Sequence, residues 1–129
     1  MLLPRLLLLL CALLFLGLGV GFVVQPEGMA SGVEIPLPTA TARTDLMATY
    51  GGFEIGLGIF LLLCWRNPAW LVAGLTANAL AFAGLGGARL MGMIQAGGQV
   101  SRMMYWFVVI EAVVTGLSFW AARVARQGG

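Results

Sequence analysis

Residues 43–58, with the sequence RTDLMATYGGFEIGLG, open an apolar helix that carries a glutamate, Glu54, well inside it. Arg43, Tyr50 and Glu54 are seven and four residues apart. On a regular helix these three side chains lie within about 40° of one another. Glu54 then lies roughly 16 Å below Arg43, near the middle of an apolar layer about 30 Å thick. An ionisable group at that depth is costly, so we expect it to face the protein interior and to have a partner, Arg43 or Arg89.

The composition is that of a membrane protein. Of the 129 residues, 60% are hydrophobic and only 9% are charged, which predicts an all-α, polytopic membrane protein with a single domain. The formal charge of +2 is too small to indicate a nucleic-acid partner. The chain has no histidine, the commonest metal ligand, and we predict neither a metal site nor a cofactor. Cys11 and Cys64 are interpreted as small apolar fillers.

Four apolar segments predict a bundle of four transmembrane helices. The first, which follows Arg5, is interpreted as a retained helix, with a signal peptide cleaved after Ala30 as the alternative. Thr44 is predicted to cap the second helix, and Asn67 with Pro68 to form the turn into the third. A short turn at residues 95–99 precedes the fourth. The predicted helices cover residues 3–24, 44–65, 69–91 and 101–123, within one domain of residues 1–129.

Arginine placement predicts the orientation. Four spans put both termini on one side of the membrane, and four arginines lie on that side: Arg5, Arg66, Arg123 and Arg126. The connector between the first two helices, residues 25–42, contains acidic but no basic residues. The positive-inside rule therefore predicts that both termini are cytoplasmic.

The candidate site combines two acids from different helices. Glu54 and Glu111 both lie inside apolar helices, and two carboxylates there need cations nearby. A charge-balanced polar plug that fixes helix register, a pocket open to the outside, and a proton or ion pathway are the three alternatives. The candidate ligand-binding residues are Arg43, Tyr50, Glu54, Asn78, Arg89 and Glu111.

Glycines on the second helix predict close packing. Gly52 and Gly56 form a small-x-x-x-small pair that allows a second helix to approach. Gly51 and Gly58 complete the predicted helix-packing set.

Three segments carry a resemblance to a known family. They are R-x6-YGG-x-E-x-G-x-G from Arg43, GGARLMG at the end of the third helix, and Glu111. Together they resemble a bacterial domain-of-unknown-function family of small four-helix inner-membrane proteins, loosely similar to the DoxX-like proteins. The resemblance implies a four-helix membrane bundle and a role for Arg43, Tyr50, Gly51, Gly52, Glu54, Arg89 and Glu111. It implies no activity, and Gln95 stands where such sequences often carry an acid.

Three functions remain open on the sequence. The leading one is binding of a small, partly apolar molecule in the outer half of the protein, with acid–base chemistry between Glu54 and Glu111 left open. The second is an accessory subunit of a larger membrane complex, and the third is a small proton-coupled exporter. The expected partners are membrane lipids, a lipophilic small molecule, and a second copy or a larger membrane complex.

Overall fold

The computed structural model describes residues 1–127, and this part of the chain is helical without any strand. Six α-helices are joined by short segments, with one π-helical and one 3₁₀ turn between them. The α-helices are α1 (Leu2–Val24), α2 (Pro26–Gly32), α3 (Ala40–Leu46), α4 (Phe53–Arg66), α5 (Leu71–Gln95) and α6 (Arg102–Gln127). The π-helical turn is Met47–Gly52 and the 3₁₀ turn is Pro68–Trp70.

Four of the resulting helical segments are long and apolar enough to cross a membrane. They have 23 to 28 residues, and about 20 apolar residues suffice for a hydrocarbon core about 30 Å thick. The predicted all-α fold class with four membrane-spanning helices is confirmed. The spans are Leu2–Val24, Ala40–Arg66, Pro68–Gln95 and Arg102–Gln127.

The second span begins earlier than the sequence predicted. Thr39 is its N-cap, and its hydroxyl accepts a hydrogen bond from the Ala42 amide at 3.1 Å. Thr44 lies inside α3 and donates its hydroxyl to the Ala40 carbonyl, so the prediction that Thr44 is the cap was wrong. At the other end, Asn67 does cap the turn into the third span by accepting from the Ala69 amide, as predicted.

A π-helical turn interrupts this span between α3 and α4. The Phe53 amide donates to the carbonyl of Ala48, five residues back rather than four. Such a turn holds one extra residue and shifts the helix phase by about 100° between its two ends. The predicted stripe assumed a regular helix, so its alignment of Arg43 with Glu54 was wrong.

The described chain divides into two compact units, each of which we describe by itself. The connector unit is residues 9–63, and the arginine unit is residues 1–8 and 64–127. In the connector unit, Phe22, Ala30 and Leu46 form a buried apolar cluster. The connector packs on this cluster through Met29, Val33, Ile35 and Leu37. The cluster holds α2 and the following segment against the ends of α1 and α3.

Glycines bring α1 and α4 together within the connector unit. A Cβ atom built on Gly58 would lie 3.0 Å from the Ala12 carbonyl oxygen and 2.7 Å from Leu16 Cγ. One on Gly19 would lie 2.8 Å from the Gly51 carbonyl oxygen. Because these neighbours include backbone atoms, only glycine fits at these crossings without a shift of the helices.

In the arginine unit, α5 and α6 pack antiparallel across a tight turn. Gly97 and Gly98 have φ angles of 61° and 77°, a left-handed conformation that glycine adopts at little cost. The Gly98 amide donates to the Met93 carbonyl at 2.9 Å and closes the end of α5. The Tyr105 hydroxyl donates to the Gly98 carbonyl and ties α6 to the turn. The short turn predicted here is confirmed.

Candidate functional site

Arg89, which is partly buried, and Glu111, which is buried, form an ion pair between α5 and α6. Arg89 Nε lies 3.1 Å from each oxygen of the Glu111 carboxylate, and one terminal nitrogen donates to Oε1 at 2.9 Å. The side chains are 26% and 7% exposed. Two nitrogens of the guanidinium group thus donate to the carboxylate, and such charge-assisted hydrogen bonds are stronger than those between neutral groups.

The remaining surface of the Arg89 guanidinium is also occupied. Its other terminal nitrogen lies 3.3 Å from Met104 Sδ, and its centre lies 5.0 Å from the centroid of the Phe107 ring. Gly86, one turn earlier on α5, leaves space for Glu111, since a Cβ there would lie 3.2 Å from that of Glu111. These contacts indicate that the pair is structural and fixes how α5 and α6 align. The charges of Arg89 and Glu111 neutralise each other and are not left free for a ligand.

Asn78 belongs to the same seam of polar residues. It is fully buried and donates through Nδ2 to the Ser118 hydroxyl oxygen at 2.9 Å. Asn78 Oδ1 and Thr115 Oγ1 are buried without a hydrogen-bond partner among the described residues. Glu111, Thr115 and Ser118 follow one another at helical spacing on α6, and the side chains of Glu111 and Ser118 form hydrogen bonds with α5.

Arg43 does not pair with Glu54, and that prediction was wrong. Its guanidinium donates instead to the carboxylate of Glu27 on α2, and a second nitrogen lies 3.2 Å from Met47 Sδ. The hydrogen bond from Arg43 holds the pKa of the Glu27 carboxyl below its usual range. Both side chains are exposed, at 45% and 65%, so the pair tethers the connector rather than forming a buried site.

Glu54 is the acid for which the described residues supply no partner. It lies near the middle of the second span, one residue into α4, and is half-buried. Its Oε2 atom is buried and accepts no hydrogen bond from any described residue. Tyr50, one turn earlier, is 39% exposed and packs its ring 5.2 Å from that of Phe22. A common space shared by Glu54 and Glu111 stays a prediction.

Some site residues were not found by sequence reasoning. Glu27 was counted only as a connector charge, although Pro26 followed by Glu27 is typical of a helix start and could have indicated α2. Met104 and Phe107 carry no polar signal, and only the antiparallel packing of α5 and α6 brings them to Arg89.

The four predicted packing glycines differ in their surroundings. Gly51 and Gly58 lie against α1, and a Cβ on Gly51 would lie 2.6 Å from Val23 Cγ2. A Cβ on Gly56 meets no atom within 4 Å, and one on Gly52 approaches only the helix's own Met47 carbonyl. Gly52 and Gly56 therefore line an uncovered face of the helix.

Among the described residues, no group of three or more His, Cys, Asp or Glu is placed to hold a metal ion. Arg89 is bound to Glu111 and Arg43 to Glu27, whereas Glu54 has no ion-pair partner among the described residues. Buried oxygens without a hydrogen-bond partner also occur at Asn78, Ser101 and Thr115, but Glu54 is the one of these four residues that is ionisable. Its carboxyl group is therefore the one of the four that can recognise another molecule through charge as well as hydrogen bonding.

Four apolar spans with ionisable groups inside them define the class, a multi-pass membrane protein. The model of the family described as "Domain of unknown function (DUF4345)" matches residues 3–122, and the chain belongs to that family. A comparison with curated proteins finds no match, and a comparison with solved structures finds none either. The predicted membership of a domain-of-unknown-function family is confirmed, while bacterial origin and similarity to the DoxX-like proteins stay predictions.

Proposed function

We propose that this membrane protein binds a small, partly apolar molecule through the carboxylate of Glu54. The observation that carries the proposal is the buried Oε2 atom of Glu54, which has no hydrogen-bond partner among the described residues. The guanidinium groups of Arg43 and Arg89 donate to Glu27 and Glu111 instead. No described residue forms a hydrogen bond with this Glu54 oxygen, which leaves it free to bind a hydrogen-bonding group of another molecule.

The chemistry of the ligand follows from this acceptor and its surroundings. A carboxylate inside a membrane favours a cation or a strong hydrogen-bond donor, and an amine offers both. Tyr50 adds an exposed aromatic ring one turn away, and the neighbouring helix surface is apolar. We therefore propose an amphipathic amine as the ligand class, with its apolar body along α4 and its nitrogen at Glu54.

The π-helical turn supports a functional reading of this helix. Single π turns interrupt the regular hydrogen bonding of a helix and are frequent at functional sites. Here the turn ends at Gly52, two residues before Glu54. It widens the helix next to the acid and sets the direction in which Glu54 and Tyr50 point.

Co-purification tests the proposal. Wild type and Glu54→Gln are purified from the same membranes, and the small molecules that they carry are compared by mass spectrometry. Glu34→Gln is the matched control, because Glu34 is an exposed acid in the connector. The proposal predicts a bound amine in wild type and in Glu34→Gln that Glu54→Gln lacks. Identical profiles for all three proteins would contradict it.

An accessory subunit is the second candidate, and the uncovered Gly52 and Gly56 favour it. Two small residues four apart on an open face suit a partner helix. Gly56→Phe would block such contact, so this reading predicts that the variant loses a co-purifying membrane protein. If Gly56→Phe loses the bound amine but no co-purifying membrane protein, ligand binding remains as the proposed function.

For the location we propose the inner membrane of a bacterium, with both termini in the cytoplasm. The positions of Arg5, Arg66, Arg123 and Arg126 support this orientation, and residues 25–42 contain no basic residue.

A further inference from the structure

A groove opens between α5 and α6 at the carboxyl-terminal end of α6, within the arginine unit. Neither Arg89 nor Glu111 is among the residues that line it. Its apolar part extends toward the middle of α6, and its other end is basic. The residues that line it include Thr76, Gly116, Phe119, Trp120, Arg123 and Arg126.

The charges of this unit leave the groove strongly basic. The arginine unit contains six of the seven arginines but only one acid, Glu111, which is bound by Arg89. Arg123 and Arg126 form no ion pair with a described residue. Three residues apart on one helix, their Cβ atoms are about 5–6 Å apart, which allows one anion to contact both guanidinium groups.

The shape of the groove suits a chain attached to that anion. A Cβ built on Gly116 meets no atom within 4 Å, so the groove is open there, and Phe119 adds apolar surface beside it. Trp120 is 47% exposed between this apolar part and the arginines. Tryptophan favours the level of lipid headgroups, which marks the boundary between the acyl-chain and phosphate regions.

We propose that this groove is a binding site for an anionic phospholipid, with its phosphate between Arg123 and Arg126 and an acyl chain along Gly116 and Phe119. Charge complementarity carries the proposal, because two arginines that form no ion pair with a described residue attract a phosphate at the membrane surface. The open, apolar continuation of the groove selects a lipid over a free phosphate ion.

Lipid retention in nanodiscs tests the site. Discs are assembled with equal amounts of phosphatidylglycerol and phosphatidylcholine of the same acyl chains, and native mass spectrometry counts the lipids that stay bound to the released protein. The proteins compared are wild type, Arg123→Gln/Arg126→Gln, Gly116→Leu, and the control Arg102→Gln. Arg102 is an exposed arginine at the opposite end of α6. Circular dichroism checks that each variant is folded, and Arg126→Gln alone replaces the double variant if that variant is not.

We expect wild type and Arg102→Gln to retain phosphatidylglycerol in preference to phosphatidylcholine. In the double variant, the ratio of bound phosphatidylglycerol to bound phosphatidylcholine should fall roughly tenfold, because each arginine attracts an anionic headgroup. Gly116→Leu should lower retention of both lipids, because its side chain fills the apolar part. An unchanged preference in the double variant, an equal loss in Arg102→Gln, or displacement of the bound lipid by inorganic phosphate would each overturn the proposal.

Discussion

Glu54 and Glu111 are both acids inside membrane-spanning helices, yet their surroundings assign them different roles. Glu111 accepts three hydrogen bonds from Arg89 and is almost fully buried. Glu54 has a buried oxygen that no described residue contacts with a hydrogen bond. A satisfied buried pair stabilises the alignment of two helices, whereas an unsatisfied acceptor lowers stability until something binds it.

Removal of Glu111 should therefore destabilise the protein far more than removal of the charge at Glu54. Glu111→Ala leaves the Arg89 guanidinium buried without its partner, at a cost of about 3–5 kcal/mol. Glu54→Gln keeps the shape and adds a donor, so its melting temperature in detergent should be close to that of wild type. Replacing Arg89 and Glu111 together by methionine should recover much of the loss. Equal melting temperatures for Glu111→Ala and Glu54→Gln would contradict these assignments.

The Arg43–Glu27 pair makes attachment of the connector dependent on pH. Because Arg43 lowers the pKa of Glu27 in the folded protein, the pair stabilises the attached connector above the usual carboxyl range. This contribution is lost as the pH falls through the lowered pKa. A nitroxide attached at the exposed Ser31 should become more mobile in that acidic range. In Glu27→Gln the label should be mobile already at neutral pH, and its mobility should change little on acidification. If the label becomes more mobile on acidification to the same extent in Glu27→Gln and in the protein with Glu27, the pair does not attach the connector.

At the level of helices, the sequence predicted the number of spans and the class of fold but not the shape of the second span. Long apolar runs define spans by themselves, because only a helix satisfies its backbone inside lipid. Helical periodicity assumes 3.6 residues per turn and therefore does not predict the π-helical turn at Met47–Gly52. For this reason the sequence placed Arg43 on the same face as Glu54 and predicted the wrong partner for it. Glu27 became that partner only because α2 folds back on the apolar cluster, a contact that depends on tertiary packing.

Two glycines of α4 provide a matched pair of substitutions. Gly58→Ala places a methyl group 3.0 Å from the Ala12 carbonyl and closer still to Leu16, which should destabilise the protein by roughly 1–3 kcal/mol through overpacking. Gly56→Ala meets open space and removes a flexible residue from a helix, so it should be neutral or stabilising by up to about 1 kcal/mol. Thermal unfolding in the same detergent measures both. Destabilisation by Gly56→Ala as large as that by Gly58→Ala would contradict the α1–α4 contact.

On the scale of the whole molecule, four spans and the distribution of arginine determine the predicted topology. A reporter active only in the periplasm should be inactive when fused after Gln127 and active when inserted in the connector at Ser31. A cytoplasmic reporter at the same two positions should give the opposite pattern. Periplasmic activity at the carboxyl end would show that the orientation is reversed or that the number of spans differs.

The sequence also indicated where the ionisable groups lie along the helices, since charged residues stand out in an apolar chain. It did not indicate which of them are satisfied, because that depends on contacts between helices. Arg89 with Glu111, and Asn78 with Ser118, meet only through the antiparallel packing of α5 and α6. Glu54 stands out as the candidate ligand contact only after Arg43 and Arg89 have been assigned to Glu27 and Glu111.

Binding of a matched series of amphiphiles to the protein in nanodiscs tests the role of Glu54 most directly. Octylamine, octanol and octanoate share an apolar chain and differ in whether the head is a cation, a neutral donor or an anion. We expect saturable binding to wild type and to Glu34→Gln, tightest for octylamine, weaker for octanol and weakest for octanoate. Glu54→Gln should bind octylamine roughly tenfold more weakly than wild type. Equal octylamine affinity in Glu54→Gln and wild type, or octanoate binding as tightly as octylamine, would contradict it.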